Sequence, residues 1–476
     1  MEDEKTSRQI CSPLLTGRQV IYSDADAITD ENVVDVLAKA MSIHGQNQNE
    51  IEYLWNYYKG RQPIIYRKKT FREDICNRIV ENRANEIVSF KVGYLMGEPV
   101  QYINQGASEA GDGINRLNEY MYAENKAAED KKLAEWFTIC GTAFRMVLPS
   151  MSDEKEDAPF HLYTLDPRTT FVIYHSGLGN RPLMGVRFVQ REDGVQIFSC
   201  YTDNRYYEIV NGVIDKAENR YYSGIPIIEY PANDARLGAF EIVLPLLDAI
   251  NETASDRLDG VEQFIQAILM LKGVDIDAPT FASIRELGGL KVPPEGDAKY
   301  LTQELDQTQT QTLKDDLYQT VLTICGMPNR NGSKSTSDTG SAVIMRDGWS
   351  AAEARAKDSE LMFVRSERIF LKLVLNMGDI LRDMKLKLGD IGIRFTRRNY
   401  ENIQEKSQVL TTMLANPKIA RKLAFEYCGM FADPELAYTL SEEEYQATLK
   451  KQEEDLMEDD DGESEEDAGV PDEGSV

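Results

Sequence analysis

A helical hairpin with a short insert places the strongest constraint on how this chain folds. Its first helix is predicted over Glu241 to Gly260 and its second over Thr308 to Cys325. The insert from Lys272 to Leu305 is too short to bury a core of its own. A polar loop, Pro328 to Gly340, follows the second helix. This pattern predicts a hairpin that projects from the body of the protein and carries no obvious active site.

The first helix carries an acidic stripe. Asp248, Glu252 and Asp256 recur at every fourth position, and Asp259 continues the same side. Like charges at this spacing cost a few tenths of a kcal/mol per pair, so the stripe does not serve helix stability. Two interpretations stay open, a face that is simply solvated or a face that lines a passage and repels a polyanion.

The polar loop resembles a phosphate-binding loop only superficially. A Walker A loop needs glycine directly before its lysine, whereas Ser333 precedes Lys334 here. Mobile polar residues around two cations favour either a passing contact with a phosphate backbone or an ordinary surface loop. The candidate DNA-contacting residues are Arg330, Asn331, Lys334, Ser335 and Thr336.

Charge and composition exclude several classes of function. The net charge is -27, and the residues from Gln452 to the C-terminus contribute 13 acidic and no basic side chains, so the rest carries about -14. That acidic tail is predicted to be disordered, and an acidic body disfavours tight binding of nucleic acid. The six cysteines are scattered without a histidine cluster, which argues against a disulfide framework and a zinc site. No catalytic residue, metal or cofactor is predicted.

The remaining sequence predicts an α+β chain that is mainly helical. Residues 1–29 are expected to form a loose arm, followed by a helix from Asp30 that breaks near Gly45 and by a second helix up to Gly60. A further helix is predicted over Asn77 to Met96. The N-terminus lacks the features of a signal peptide, and no apolar run reaches the roughly 18 residues of a membrane span, so we expect synthesis in the cytoplasm.

An antiparallel sheet is predicted within the stretch from Ala143 to Tyr230. Its segments are rich in β-branched and aromatic residues, and Asp193-Gly194 and Asn211-Gly212 between them favour tight hairpin turns. After the polar loop, Ser350 to Met384 predicts one long helix, and the region up to Lys450 predicts more helices.

Several short motifs resemble those of the portal proteins of tailed bacteriophages. The paired tyrosines and glycine of Tyr57-Tyr58-Lys59-Gly60 come first. Asn77-Arg78-Ile79 with Asn82 follows, and then the turn from Tyr94 through Gly97-Glu98-Pro99 to Val100. Thr339-Gly340-Ser341-Ala342 and the segment Ile393 to Asn399 complete the set, although Thr339 stands where serine is usual. The order and spacing of these motifs together carry the resemblance, over about Asp30 to Leu440.

The resemblance implies a portal-type protomer whose parts can be assigned by residue. The implied parts are a flexible arm (1–29), a helical and β wing (30–240), a first stem helix (241–271), a clip (272–305), a second stem helix (306–327), a tunnel loop (328–340), a long wing helix (341–385), a helical crown (386–451) and a disordered acidic tail (452–476).

The resemblance also implies a function. Portal proteins form a ring, usually of twelve subunits, at one vertex of the capsid in the virion. Double-stranded DNA passes through this ring without sequence specificity, driven by a terminase motor, and later leaves through it. Capsid and scaffolding proteins and a head-tail adaptor are the implied partners, and no membrane is involved. Two other readings stay open, a structural adaptor ring without a packaging role and a nucleotide-dependent enzyme that uses Lys334.

Overall fold

The structure is a computed structural model, and it describes residues 12–70, 73–105, 111–150, 157–265, 268–272, 297–301, 307–329, 348–382, 384–397, 403–431 and 434–462. The chain divides into two compact units, Met1–Arg397 and Arg398–Val476. The first unit combines helices with β-sheets, and the described part of the second is helical. This arrangement agrees with the predicted α+β class.

The described helices are α1 (Val33–Tyr58), α2 (Arg83–Leu95), α3 (Gly111–Ala123), α4 (Lys126–Cys140), α5 (Leu244–Ile265), α6 (Gln307–Cys325), α7 (Trp349–Arg382), α8 (Ile403–Leu414), α9 (Arg421–Cys428) and α10 (Pro434–Gly462). The described strands are β1 (Ile21–Ser23), β2 (Gln101–Asn104), β3 (Thr142–Pro149), β4 (Phe160–Leu165), β5 (Thr170–His175), β6 (Pro182–Gln190), β7 (Gln196–Tyr201), β8 (Arg205–Val210), β9 (Val213–Asn219), β10 (Ile227–Pro231), β11 (Ile268–Lys272), β12 (Asp297–Leu301) and β13 (Ile391–Arg394).

Two sheets build the strand-rich region. The larger has the order β1-β5-β6-β7-β8-β9 and is antiparallel except for the parallel pair β1 and β5. The smaller has the order β10-β3-β4. At the β8–β9 turn, Asn211 and Gly212 have φ angles of 52° and 75°. Positive φ at both residues is what a two-residue hairpin turn requires, so the predicted turn is confirmed there.

The two sheets stack as inner layers between helices. On β3, Val147 faces a core shared with α3, α4 and α7, whereas Phe144 and Met146 face Val172 of the larger sheet. The far side of the larger sheet, including Ile173, packs on the N-terminal half of α1. Alternate residues of each strand point to opposite faces, so both sheets are covered on two sides. Helices α7 and α1 therefore lie in opposite outer layers.

A buried ionic cluster fixes α7 against the smaller sheet. Glu367 of α7 lies 2.8 Å from Lys126 Nζ and 3.1 Å from Arg145, and its side chain is fully buried. The guanidinium of Arg145 also pairs with a second acid on α4. The six members of the cluster are Tyr102, Lys126, Asp130, Arg145, Tyr230 and Glu367. Because buried charges need partners at close range, the cluster specifies one register for α7.

Helix α1 does not break at Gly45, contrary to the sequence prediction. It runs unbroken from Val33 to Tyr58. His44 contacts the backbone oxygen of Arg168 at 3.1 Å, and the Asn47 side chain bonds both backbone groups of Gln19 at 2.8 Å. These tertiary contacts offset the roughly 1 kcal/mol by which an interior glycine weakens a helix.

The N-terminal segment from residue 12 is ordered, which differs from the loose arm expected for residues 1–29. Arg18 is buried and pairs with Glu50 at 2.8 Å and with Glu241 at 2.6 Å. The Gly17 N–H donates to the same Glu241 carboxylate at 3.1 Å. A buried arginine with two carboxylate partners fixes the segment that leads into β1. Residues 1–11 lie outside the described part.

The second unit is built from α8, α9 and α10. Ala424, Phe425 and Cys428 of α9 are buried. Pro434 is the first residue of α10, a position that proline tolerates because its missing N–H has no partner in the first turn. The helix continues to Gly462, so it extends into the acidic tail that composition alone predicted to be disordered.

Candidate functional site

The predicted hairpin is present. A short 3-10 turn, Glu241–Val243, leads into α5, and α5 packs against α6. Between the two helices β11 and β12 form an antiparallel ladder that pairs Ile268 with Leu301 and Lys272 with Asp297. The observed bounds of α6 differ from the predicted second helix by one residue. Residues 273–296, which form most of the insert predicted from Lys272 to Leu305, lie outside the described part.

The base of the hairpin is fixed in the hydrophobic core of the first unit. Leu247 and Ile250 of α5 and Val321 of α6 are buried together with Leu54 of α1 and Val88 of α2. Burial of each large aliphatic side chain contributes about 1.5–3 kcal/mol. The hairpin is therefore continuous with the body at this end.

A buried polar face runs along α5 beside this apolar contact. It consists of Asp248, Asn251, Ser255 and Asp259, which are spaced three or four residues apart and are all buried. We call these four residues the docking face of α5, because each of them binds a segment of the same chain that comes before α3. The sequence could have indicated this face, because two uncharged polar residues, Asn251 and Ser255, lie on the same side of the helix as Asp248 and Asp259.

Asp259 is the most heavily bonded member of the docking face. Its Oδ1 accepts hydrogen bonds from the backbone N–H of Asn77 at 2.7 Å and from the Asn77 side-chain amide at 2.8 Å. Its Oδ2 lies 3.2 Å from Arg67 and also pairs with Lys69. Burial acts to raise the pKa of Asp259, but the hydrogen bonds from Lys69 and Asn77 outweigh it and hold the pKa below its usual value.

Two neutral side chains of the docking face bind the extended backbone next to Asn77. Ser255 Oγ accepts from the Ile79 N–H at 2.9 Å, and Asn251 Oδ1 accepts from the Glu81 N–H at 2.8 Å. Alternate N–H groups of this segment are therefore committed to α5. That is why α2 begins only at Arg83, after its cap Asn82, and not at Asn77 as the sequence predicted.

Asp248 closes the other end of the docking face. Its carboxylate accepts from the Tyr57 hydroxyl at 2.9 Å and from the Ser12 backbone N–H at 2.6 Å. Burial raises the pKa of Asp248 above its usual value, and the hydrogen bonds from Ser12 and Tyr57 only partly oppose this. Tyr57 is the first of the paired tyrosines noted in the sequence, and this bond gives it a structural role.

The acidic stripe therefore divides between two faces of α5. Asp248 and Asp259 are buried in contacts with other segments of the same chain. Glu252 is exposed, and the Asp256 side chain is 54% exposed while it pairs with Arg67. The channel-lining role expected for Asp248, Glu252, Asp256 and Asp259 stays a prediction, and among these four only Glu252 and Asp256 present carboxylate oxygens to solvent.

The loop candidates cannot be placed in the same way. Arg330, Asn331, Lys334, Ser335 and Thr336 lie outside the described residues, and their contact with DNA stays a prediction. Within the described ranges, no group of three or more His, Cys, Asp or Glu side chains is arranged to hold a metal ion. No helix in those ranges combines the length and apolarity needed to cross a bilayer.

Comparisons with known sequences identify one family. Residues 39–458 match the family described as "Phage portal protein, SPP1 Gp6-like". The portal protein of Bacillus phage SPP1 is 21% identical over 442 residues, covering 82% of each chain. Among solved structures, a chain from the neck of an empty GTA particle computed with C6 symmetry aligns at 11% identity with a TM-score of 0.45, covering 80% of this chain and 94% of that one. Because the family match spans residues 39–458, far more than half of the chain, this chain belongs to the phage portal protein family of the SPP1 Gp6-like type.

Proposed function

We propose that this protein is the subunit of a portal ring at one capsid vertex, through which double-stranded DNA is packaged by a terminase motor and later ejected. The observation that carries the proposal is the family match over residues 39–458. In this ring α5 and α6 are the stem, residues 272–305 the clip, residues 328–340 the tunnel loop, α7 the long wing helix and residues 386–451 the crown. Capsid and scaffolding proteins surround the ring, and a head-tail adaptor binds it after packaging.

The exposed side chains of the hairpin support assembly into a ring. Ile242 of the turn before α5 is 55% exposed in the single subunit, and Leu313 and Ile324 of α6 are 52% and 37% exposed. Aliphatic side chains at these positions are covered when identical hairpins pack side by side around an axis. A closed ring of hairpins encloses a central channel.

The role proposed for the channel is to let DNA pass without holding it. Glu252 and Asp256 supply the exposed negative charge on α5, repeated once per subunit. Two like charges 10 Å apart repel by about 0.4–1.7 kcal/mol at effective dielectric constants of about 80 to 20, before screening by salt. A repulsion of this size discourages phosphates from settling on the wall and leaves transport to an external motor. The tunnel-loop residues, including Arg330 and Lys334, would make passing contacts with the phosphates.

Ring formation and packaging are tested separately. End-on class averages of purified protein should show a closed ring with an open centre. Phage that lack this gene product should then yield heads without DNA, which the wild-type gene supplied in trans should fill. DNA-filled heads without tails would instead identify an adaptor ring, and ATP turnover by the purified protein would identify an enzyme.

The channel wall is tested by Glu252→Lys, because this side chain is exposed and makes no ion pair with any described residue. We expect rings that assemble normally and package DNA more slowly, since twelve added cations would hold the phosphates. A matched Glu192→Lys change in the β6–β7 turn makes the same charge change away from the stem and should leave the rate unaltered. Equal packaging rates in Glu252→Lys and wild-type rings would count against an acidic wall on α5.

A further inference from the structure

The outward side of α7 carries cations and aliphatic side chains together. Leu361 and Ile369 are 70% and 48% exposed, and Arg365, Arg368 and Lys372 are also exposed. Their spacing places all five on one face of the helix. We call these residues the outer strip of α7. None of its three cations forms an ion pair with a described residue, although the chain carries a net charge of -27.

This combination of side chains fits a protein partner better than it fits DNA. Exposed leucine and isoleucine gain from burial against other apolar groups, whereas contacts with phosphates are made by polar and cationic groups alone. Arginine is enriched at the centre of protein interfaces because its planar head pairs with carboxylates while its stem packs on apolar groups. The outer strip is therefore complementary to a partner surface that is acidic and that carries small or apolar side chains.

The layer order of the first unit identifies where such a partner surface lies on the same chain. Helix α7 covers one outer side of the stacked sheets, and α1 covers the opposite outer side. In a ring of identical subunits each contact is head to tail, so one side of a subunit meets the opposite side of the next. When these outer layers face the neighbouring copies, the surface that meets α7 of one copy is the α1 side of the next.

The N-terminal part of α1 has the expected chemistry. Glu31, just before the helix, and Asp35 in its first turn are exposed, and neither forms an ion pair with a described residue. Ala38 and Ser42 continue the exposed side with small side chains that allow close approach, and one exposed cation, Lys39, lies four residues after Asp35. Among the described residues these two carboxylates have no ion-pair partner, and they complement the three cations and two aliphatic side chains of the outer strip.

We propose that the outer strip of α7 docks on the Glu31 and Asp35 end of α1 in the next copy of the chain. This contact joins neighbouring subunits through their outer layers, independently of any contact between the hairpins. The proposal rests on the ring that the proposed function requires. It goes further by assigning the two surfaces and the cation–carboxylate pairing between them.

The test is charge reversal followed by charge exchange. The triple variant Arg365→Glu, Arg368→Glu, Lys372→Glu should fold, as shown by an unchanged far-UV circular dichroism spectrum. Its ring fraction in mass photometry should fall by about tenfold or more at low salt, because like charges would then face each other. The double variant Glu31→Lys, Asp35→Lys should show the same loss.

Combining all five substitutions in one chain should restore the rings, since each contact would again join opposite charges. A control that reverses Lys68, Lys131 and Lys387 to glutamate changes the net charge equally on exposed residues outside the strip. This control should keep its rings. Loss of rings in the control would show that net charge alone matters and would overturn the proposal.

Two further outcomes also overturn the proposal. If the triple variant keeps its rings but packages DNA poorly, the outer strip contacts DNA and not a neighbour. If the five-fold variant stays dissociated while each set alone dissociates, α1 is not the counter-surface. Wild-type protein that is monomeric at every concentration would contradict the proposed ring itself. A wild-type ring whose fraction is unchanged in the variants would contradict only the contact between α7 and α1.

Discussion

Asn77 donates both its backbone N–H and its side-chain amide to one carboxylate oxygen of Asp259, at 2.7 and 2.8 Å. The two residues are 182 positions apart in the chain. Through this pair, a segment with no regular secondary structure is held along helix α5. Asp259, which the sequence predicted to line a channel, is in the structure an anchor between two segments of the same chain.

Asp259→Asn should weaken this anchor. The substitution removes the negative charge that pairs with Arg67 and Lys69. A hydrogen bond to a charged group contributes about 1.5–3 kcal/mol to the free energy of unfolding. We expect the free energy of unfolding to fall by about that amount in urea titrations. The exposed Glu252→Gln on the same helix should change it by less than about 0.5 kcal/mol. Similar losses for the two variants would mean that the docking face does not hold α5.

The contributions of Asp248 and Asp259 to the stability of the protein should change with pH in opposite directions. The pKa of Asp259 is lowered on folding, so its contribution to stability is complete above the usual carboxyl pKa and is lost as the pH falls through the folded value. The pKa of Asp248 is raised, so its ionised form costs stability at neutral pH, and that cost fades as the pH falls through the folded value.

Urea titrations at several pH values from 7 to 3 check this contrast. The stability difference between wild type and Asp259→Asn should shrink on acidification. On acidification, the free energy of unfolding of wild type should instead rise relative to that of Asp248→Asn. Parallel pH profiles for the two variants would contradict the assigned directions.

Glu367→Gln should be among the most destabilising substitutions in the first unit. It leaves Lys126 and Arg145 buried with one carboxylate between them, and breaking a buried ion pair typically costs about 3–5 kcal/mol. Burial opposes ionisation of Glu367, but Lys126 and Arg145 hold its pKa well below the usual value, so it is charged at neutral pH. The exposed Asp379→Asn on α7 serves as the control and should lie within about 0.5 kcal/mol of wild type.

Two glycine substitutions should act in opposite directions. Gly45→Ala places a methyl group in open space within α1 and should stabilise the protein by about 0.5–1 kcal/mol. Gly141 ends α4 at φ +74°, where an added Cβ would lie 2.2 Å from the Arg236 carbonyl oxygen. Gly141→Ala should therefore destabilise by more than about 1–2 kcal/mol. Thermal unfolding of both variants measures this, and a destabilised Gly45→Ala would argue for a helix break at that position.

The local sequence pattern was sufficient to predict those helices and turns whose formation depends mainly on their own residues. The hairpin helix α6 and the long helix α7 lie within two residues of their predicted bounds because their apolar spacing persists over several turns. The Asn211-Gly212 turn follows from the freedom of both residues to adopt positive φ. The motifs around Tyr57 and Asn77 pointed to the portal family, and the match over residues 39–458 confirms it.

Only the tertiary structure decided which side chains face one another. The sequence placed Asp248 and Asp259 on one side of a helix, but it could not show that Tyr57, Lys69 and Asn77 cover that side. It likewise predicted helix at residues 77–82 and a break at Gly45, and both expectations were wrong because distant partners changed the balance. Helix propensities differ by about 1 kcal/mol per residue or less, whereas a buried hydrogen bond to a charged group contributes more, so contacts between distant segments prevail where the two conflict.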